Sequence, residues 1–372
     1  MAAAGIAAAV TLPPHLQAAE PPEARGLTRD AVRLIVSVVD TGAIHHARFS
    51  DLPRWLSSGD LLVVNTSGTL NAALTATAVD GSRFDVHLST ALPGGFWVVE
   101  VRRPAPVASL PYTSGRAGAT LELEGGGHVT LLAPYPLAGA LNASSRLWMA
   151  ALQIDGPVLP YLERFGRPIR YSYVERPWPG SMYQTVFVTE PGSAEMPSAG
   201  RPFTPELVTQ LVSSGVQIAP LVLHTGVASL EDHEPPYEEY FRVPPDTADR
   251  LNAAKRAGRR VVAVGTTVVR ALETVTDERG RTYPGEGWTN LIITPHRPLS
   301  AVNGMITGLH EPRATHLAMV KQAIVAAGGD QPSAHLDRAY REAREAGYLW
   351  HEFGDSHLII GSLSRPTRGS TG

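Results

Sequence analysis

Between residues 70 and 135 the chain changes its period, and no other feature constrains its fold as much. Short runs rich in β-formers follow one another there: Leu74–Val79, Phe84–Leu88, Phe96–Arg102, Thr120–Leu123 and His128–Leu132, divided by Gly, Pro and Asp pairs. Strands this short, separated by turn residues, predict a small antiparallel barrel or sandwich. On either side the pattern is different. Strands are expected at Val32–Val39, Asp60–Asn65, Val216–His224, Arg260–Val264, Leu291–Thr294 and Gly304–Thr307. Helices are expected at Thr204–Ser213, Pro245–Ala257, Thr267–Val275, Thr315–Ala327 and Ser333–Ala346. Thr204 is placed to cap the first of these, with Pro205 at its first position, and Gly258 to close the second. Alternating strands and helices build an α/β layer structure. The reading is therefore an α/β main domain over residues 1–69 and 150–372, carrying an inserted small antiparallel β-barrel domain over residues 70–149.

Composition narrows the chemistry. With 372 residues the chain has room for about two domains, and with no cysteine it can hold no disulfide, thiolate metal site or iron–sulfur cluster. The net charge of −3 gives no overall pull toward nucleic acid, so any RNA contact must come from local patches. The basic residues are nearly all Arg, with Lys only at 255 and 321, and Arg makes forked phosphate contacts. No run is long and apolar enough to span a bilayer. The Ala-rich stretch Met1–Val10 lacks a basic lead and runs at once into Pro13 and Pro14, so it does not read as a signal peptide. A cytoplasmic monomer is the expectation.

Four segments offer chemistry. Val261–Val264 runs into Gly265, Thr266 and Thr267 and then a helix bearing Arg270 and Glu273, so free N–H groups and a positive dipole end face whatever lies beyond the strand. A phosphate or carboxylate suits such a turn, and an ordinary strand–turn–helix with a capping Thr is the plainer alternative. His224 ends a strand before Thr225 and Gly226. His310 follows the strand Gly304–Thr307. Asp355 sits in a tight turn before the apolar run Leu358–Ile360, where a turn-forming carboxylate is the simpler role. His45 and His46 are adjacent and point to opposite faces of a strand, and no HExxH pattern is present, so no metal site is expected.

In order along the chain, several segments match one family. Arg29–Leu34 resembles RDxSRLL, and Gly59–Asn65 matches GDLLVxN. Tyr183–Phe187 matches YQTVY, with Tyr183 and Gln184 in place. Leu223–Gly226 is similar to LHVG, and Gly265–Glu273 to GTTSVRxLE. His310, Pro312 and Thr315 fit FHLPxST, and Tyr348–Ile359 fits YRFFSYGDAMLI. The chain resembles the S-adenosylmethionine:tRNA ribosyltransferase-isomerase family of queuosine biosynthesis over almost its whole length. The resemblance implies S-adenosylmethionine as co-substrate, no metal, and tRNA carrying 7-aminomethyl-7-deazaguanine as acceptor. The ribosyl moiety is moved and rearranged to give epoxyqueuosine, and adenine and methionine leave. It also implies an α/β domain with an inserted barrel. Asn65, Tyr183, Gln184, Gly265, Thr266, Thr267 and Arg270 then become substrate-binding candidates, with the Thr266–Thr267 turn and Arg270 set against the methionine carboxylate. His224, His310, Asp355 and Glu273 become catalytic candidates, with the identity of the base left open.

The pattern also breaks. Gly68 and Ala73 stand where the family has arginines, Arg201–Pro202 where it has Leu–His, and Gly308 where it has Asn. Of HxMHxE only His233 and Glu238 remain, and RFFSY has become Leu349–Phe353. Arg201, His351 and His357 are new polar groups in these segments. Two functions of different class follow: an active tRNA-modifying transferase, or a divergent paralogue that binds S-adenosylmethionine but uses another acceptor or has lost catalysis.

Overall fold

The computed structural model describes residues 12–106, 108–136, 145–227, 237–311 and 316–362. A nine-stranded mixed sheet forms the main layer, in the order Gly285–Thr289, Glu239–Val243, Gln217–Leu223, Leu61–Asn65, Val261–Val264, Gly304–Gly308, Ser356–Ile360, Arg33–Val38 and Ala43–Arg48. Its centre is four contiguous parallel strands, from Gln217–Leu223 to Gly304–Gly308. Parallel strands are covered on both faces and so read as unbroken apolar runs. Leu61 and Val63 meet Leu251, Val268 and Leu272 from the helices Pro245–Arg256 and Thr266–Thr274. Leu62 and Val64 meet Phe49, Leu52, Phe203 and Leu207 on the other face. Thr204 caps the helix Pro205–Ser213 as expected, accepting from Leu207 N at 3.1 Å. Gly258 closes Pro245–Arg256 at φ 63°.

The inserted sheet is a barrel, because its ends meet. Leu147–Gln153 pairs with His128–Pro134 on one side and with Phe96–Arg103 on the other, which leaves no open edge between them. Leu74, Val86, Val99, Leu121, Val129 and Trp148 fill it. This last strand is absent from the sequence reading, and it runs through residue 150, where the sequence places the return to the main domain. The helix Val158–Phe165 also packs on the barrel, through Tyr161 and Leu162.

Leu291–Thr294, expected as a strand, is not one. Leu291 N donates to Thr289 Oγ1, its carbonyl accepts from Arg270, and Ile293 is buried under the helices instead. The edge strand is the glycine-bearing Gly285–Thr289, which local propensity disfavours but which has Glu239–Val243 to pair with. Thr315, placed at a helix start, lies outside the described residues, and the helix is described from His316 to Ala326.

Candidate active site

The carboxyl ends of adjacent parallel strands form a ready-made crevice. Here four such ends deliver Asn65, His224, Gly265–Thr267 and, just past Gly308, His310 to the same edge of the sheet. Residues far apart in the chain are thereby brought to one edge.

His224 is the best-built group at this edge. Its ring Nδ1 lies 2.7 Å from Ser67 Oγ, which is itself 2.6 Å from Ser193 Oγ. Nε2 faces Glu190 Oε1 at 3.6 Å, and Glu190 accepts from Arg242 at 2.6 Å. Tyr240 stacks on one side of the ring, with centroids 5.5 Å apart. The bare Cα of Gly192 lies close by, and a Cβ there would come within 2.4 Å of the ring. Burial lowers the affinity of His224 for a proton, and Glu190 opposes this in part, so the imidazole is neutral at pH 7 and can accept one. The Arg242 hydrogen bond holds Glu190 in turn below the ordinary carboxylate range.

Asn65 positions this group. Its amide donates to Leu223 O at 2.8 Å, accepts from Leu223 N at 3.0 Å and from Ser67 N at 3.1 Å, and reaches Thr267 Oγ1 at 3.3 Å. One side chain thus ties together the strand end bearing His224, the Ser67 segment and the Gly265–Thr267 turn. That turn is built on Gly265 at φ 103°, and no side chain caps the helix Thr266–Thr274, so a capping threonine is not its explanation. An uncapped helix start offers N–H donors to an anion.

The other candidates lie elsewhere or are engaged. Arg270 is buried in an ion pair with Glu239 and donates to the carbonyls of Leu291 and Thr289. Glu273 stands at the far end of that helix, where it accepts from Ser300 N and Ala301 N at 2.9 and 2.8 Å. Asp355 is at the correct edge, but its carboxylate holds the Arg33 and Leu349 amides, each at 2.7 Å. Gln184 braces the strand Ser67–Thr69 from behind, pairing with both backbone groups of Thr69, and Tyr183 is buried against Phe353. His310 contacts Thr307 Oγ1 at 2.7 Å, and burial pushes it down to about 3, which makes it a weak base. Ser67, Glu190, Gly192, Ser193 and Arg242 escaped sequence reasoning. They carry no local pattern: the parallel pairing of Glu190–Ser193 with Ser67–Thr69 brings four of them together, and the pairing of Glu239–Val243 with Gln217–Leu223 adds Arg242.

Two of the three new polar groups serve the interior. Arg201 donates to Met182 O and Glu23 and lies over Phe353, while His357 meets Ser37 Oγ at 2.8 Å. At Gly68 a Cβ would strike Val188 Cγ1 at 2.7 Å, so Val188 occupies space a longer residue would need.

Burial lowers the proton affinity of His224, and the charge on Glu190 offsets part of that loss. Glu190→Gln removes the influence that raises the His224 pKa, so the ring should titrate at lower pH. An NMR titration of the His224 ring in the variant checks this, and a titration that stays or moves upward rules the arrangement out.

A family model described as queuosine biosynthesis protein matches residues 9–359. The S-adenosylmethionine:tRNA ribosyltransferase-isomerase of Moorella thermoacetica is 38% identical, over 94% of this chain and 97% of its own length. The protein of the same name from Thermus thermophilus is 33% identical over the same shares. A crystal structure of the S-adenosylmethionine tRNA ribosyltransferase from Thermotoga maritima aligns at a TM-score of 0.50 and 29% identity, covering 95% of this chain and 99% of that one. By sequence, by length and by architecture, the chain belongs to the S-adenosylmethionine:tRNA ribosyltransferase-isomerase family of queuosine biosynthesis.

Proposed function

We propose that this chain transfers and isomerises the ribosyl moiety of S-adenosylmethionine onto 7-aminomethyl-7-deazaguanine in tRNA, giving epoxyqueuosine. The observation that carries the reading is the convergence of Asn65, His224, the Gly265–Thr267 turn and His310 on one sheet edge in a chain that matches the family end to end.

Each demand of the reaction has a group to meet it. The methionine carboxylate goes to the uncapped helix start at Thr266 and Thr267, whose dipole favours negative charge. A proton must leave the ribose beside the sulfonium, and neutral His224 takes it at Nδ1, the nitrogen that meets Ser67 Oγ, while Glu190 faces the N–H at Nε2. His310, held neutral, serves as a hydrogen-bond partner and not as the base. Asp355, Gln184 and Tyr183 position backbone around the site, and Arg270 and Glu273 hold the helix that carries the turn. RNA phosphates can meet arginines at the same edge, where a cavity of about 680 Å³ is lined by Arg25, Arg33 and Arg48 beside the carboxylates of Asp51 and Asp355. The reading includes a cytoplasmic monomer. Among the described residues no helix is long and apolar enough to cross a membrane.

A second reading rests on Gly68, whose surroundings leave no room for the arginine the family pattern has there. In it the S-adenosylmethionine pocket persists for another acceptor or for binding alone. Purified protein incubated with S-adenosylmethionine and tRNA bearing the aminomethyl base separates the two. Adenine and methionine release that depends on the modified tRNA supports the transferase. Absence of release, with S-adenosylmethionine still binding in a titration, supports the second.

A further inference from the structure

Of the three polar groups that depart from the family pattern, His351 alone makes no side-chain hydrogen bond among the described residues. Its Nε2 is buried without a hydrogen bond and stands 3.6 Å from Glu311 Oε1. Its backbone is held at φ 76°, the one positive φ at a non-glycine among the described residues. A residue other than glycine keeps that conformation when its surroundings over-determine it. Here the neighbours do so: Trp350 is pinned by Leu16 O, Ala18 N and His310 O, and Gly354 N donates to His351 O at 3.0 Å.

The strained backbone lays the imidazole flat on Tyr173, with centroids 3.9 Å apart and planes 8° apart. Tyr173 in turn stacks on Tyr171 at 5.5 Å and 5°. Three parallel rings form a ladder, and carboxylates line it. Tyr173 donates to Glu352, Tyr171 bonds to Glu195, and Glu311 faces His351. The ladder also bridges the candidate site. At one end the Glu195 carbonyl accepts from Thr225, next to His224, at 2.6 Å. At the other end Glu311 follows His310, whose carbonyl accepts from Trp350. None of the three ring residues is sealed in the core.

We propose that the His351 end of this ladder, with Tyr173 and Tyr171 stacked behind it, is the stacking face for the acceptor base, and that His351 is a specificity-determining residue for it. The ligand class is a planar purine-type base rich in N–H donors and bearing a cation, which is the chemistry of an aminomethylated deazaguanine. A base drawn out of a nucleic-acid stack is held by aromatic faces and by hydrogen bonds to its edge. A guanine-type edge presents two adjacent donors and the aminomethyl group adds an ammonium, and carboxylates accept from both. An adenine ring presents one donor group and no cation, so it uses this wall less well. Burial keeps the imidazole neutral, pushed down to about 4, so His351 does not repel the cation. The assignment rests on the acceptor proposed above.

The test uses His351→Gly and His351→Asn, because these two residues adopt positive φ readily and relieve the strain. Fluorescence anisotropy would measure the binding of an anticodon stem–loop carrying 7-aminomethyl-7-deazaguanine, the same stem–loop carrying guanine, and, in a separate titration, S-adenosylmethionine. The expected result is about tenfold weaker binding of the modified loop, with the S-adenosylmethionine Kd and the thermal midpoint of both variants unchanged or improved. Unchanged preference for the modified loop overturns the proposal. So does weakening confined to S-adenosylmethionine, which would give the wall to adenine. Turnover is not the readout. A wild-type protein that prefers the modified loop without releasing adenine would therefore remove the transferase reading and leave the wall standing.

Discussion

Replacing His224 with alanine is expected to lower kcat by about a thousandfold while changing the S-adenosylmethionine Kd and the KM for modified tRNA by less than about threefold. The expectation follows from what surrounds the ring. Both nitrogens are directed, one toward Ser67 and one toward Glu190, and both faces are confined, by Tyr240 and by the glycine backbone at Gly192. A side chain held on four sides is positioned for a proton transfer and contributes little to binding. Ser67→Ala, which leaves the ring but frees it to turn, should cost a smaller factor of about ten. Single-turnover release of adenine, measured at saturating co-substrate, separates these steps. Wild-type rates in His224→Ala would exclude it as the base, whatever its geometry.

The second large effect is on stability. Asp60 and Arg260 form a buried ion pair between two central strand starts, with Nε to Oδ2 at 2.9 Å and Nη2 to Oδ2 at 2.5 Å. Asp60 also accepts from the amides of Ser57 and Arg260, at 2.9 and 3.2 Å, and Arg260 donates to Trp55 O at 3.0 Å. Asp60→Ala leaves a guanidinium buried without its counter-charge and should cost about 3–5 kcal/mol. Asp60→Leu combined with Arg260→Met removes both charges and should recover most of that loss, since the main cost lies in the uncompensated charge and not in the missing attraction. Urea unfolding followed by tryptophan fluorescence measures both variants. A loss below about 1 kcal/mol in Asp60→Ala would show that the pair is solvated well enough not to need its partner.

Much of this molecule is legible from local pattern. The strands at Leu61–Asn65 and Val261–Val264, the capped helix at Pro205 and the helix closed by Gly258 all follow from apolar runs, a threonine and a glycine at set places. These signals are short-range, so a linear reading finds them. Gly265, Thr266 and Thr267 were recognised in the same way, since a glycine between a buried strand and a helix leaves a recognisable mark.

What could not be read involves distance in the chain. Leu147–Gln153 closes the barrel by pairing with strands on both sides, and Gly285–Thr289 is a strand only because Glu239–Val243 lies beside it. The same limit governs the site. Asn65, His224 and His310 could be named as polar residues at strand ends, but a strand end has no address until the order of the sheet is known. Glu273 and Asp355 looked equally chemical, and tertiary contacts spend them on the amides of Ser300, Ala301, Arg33 and Leu349. Conversely, Ser67 and Glu190 carry no local mark, and folding gives them a direction. The sequence by itself determined which segments are strands and helices, and where the family chemistry lies along the chain, because periodicity, capping and motif order are properties of neighbouring residues. Only the tertiary structure decided which polar groups face the crevice and which hold the protein together, because a hydrogen bond between residues a hundred or more positions apart exists only once the sheet is assembled.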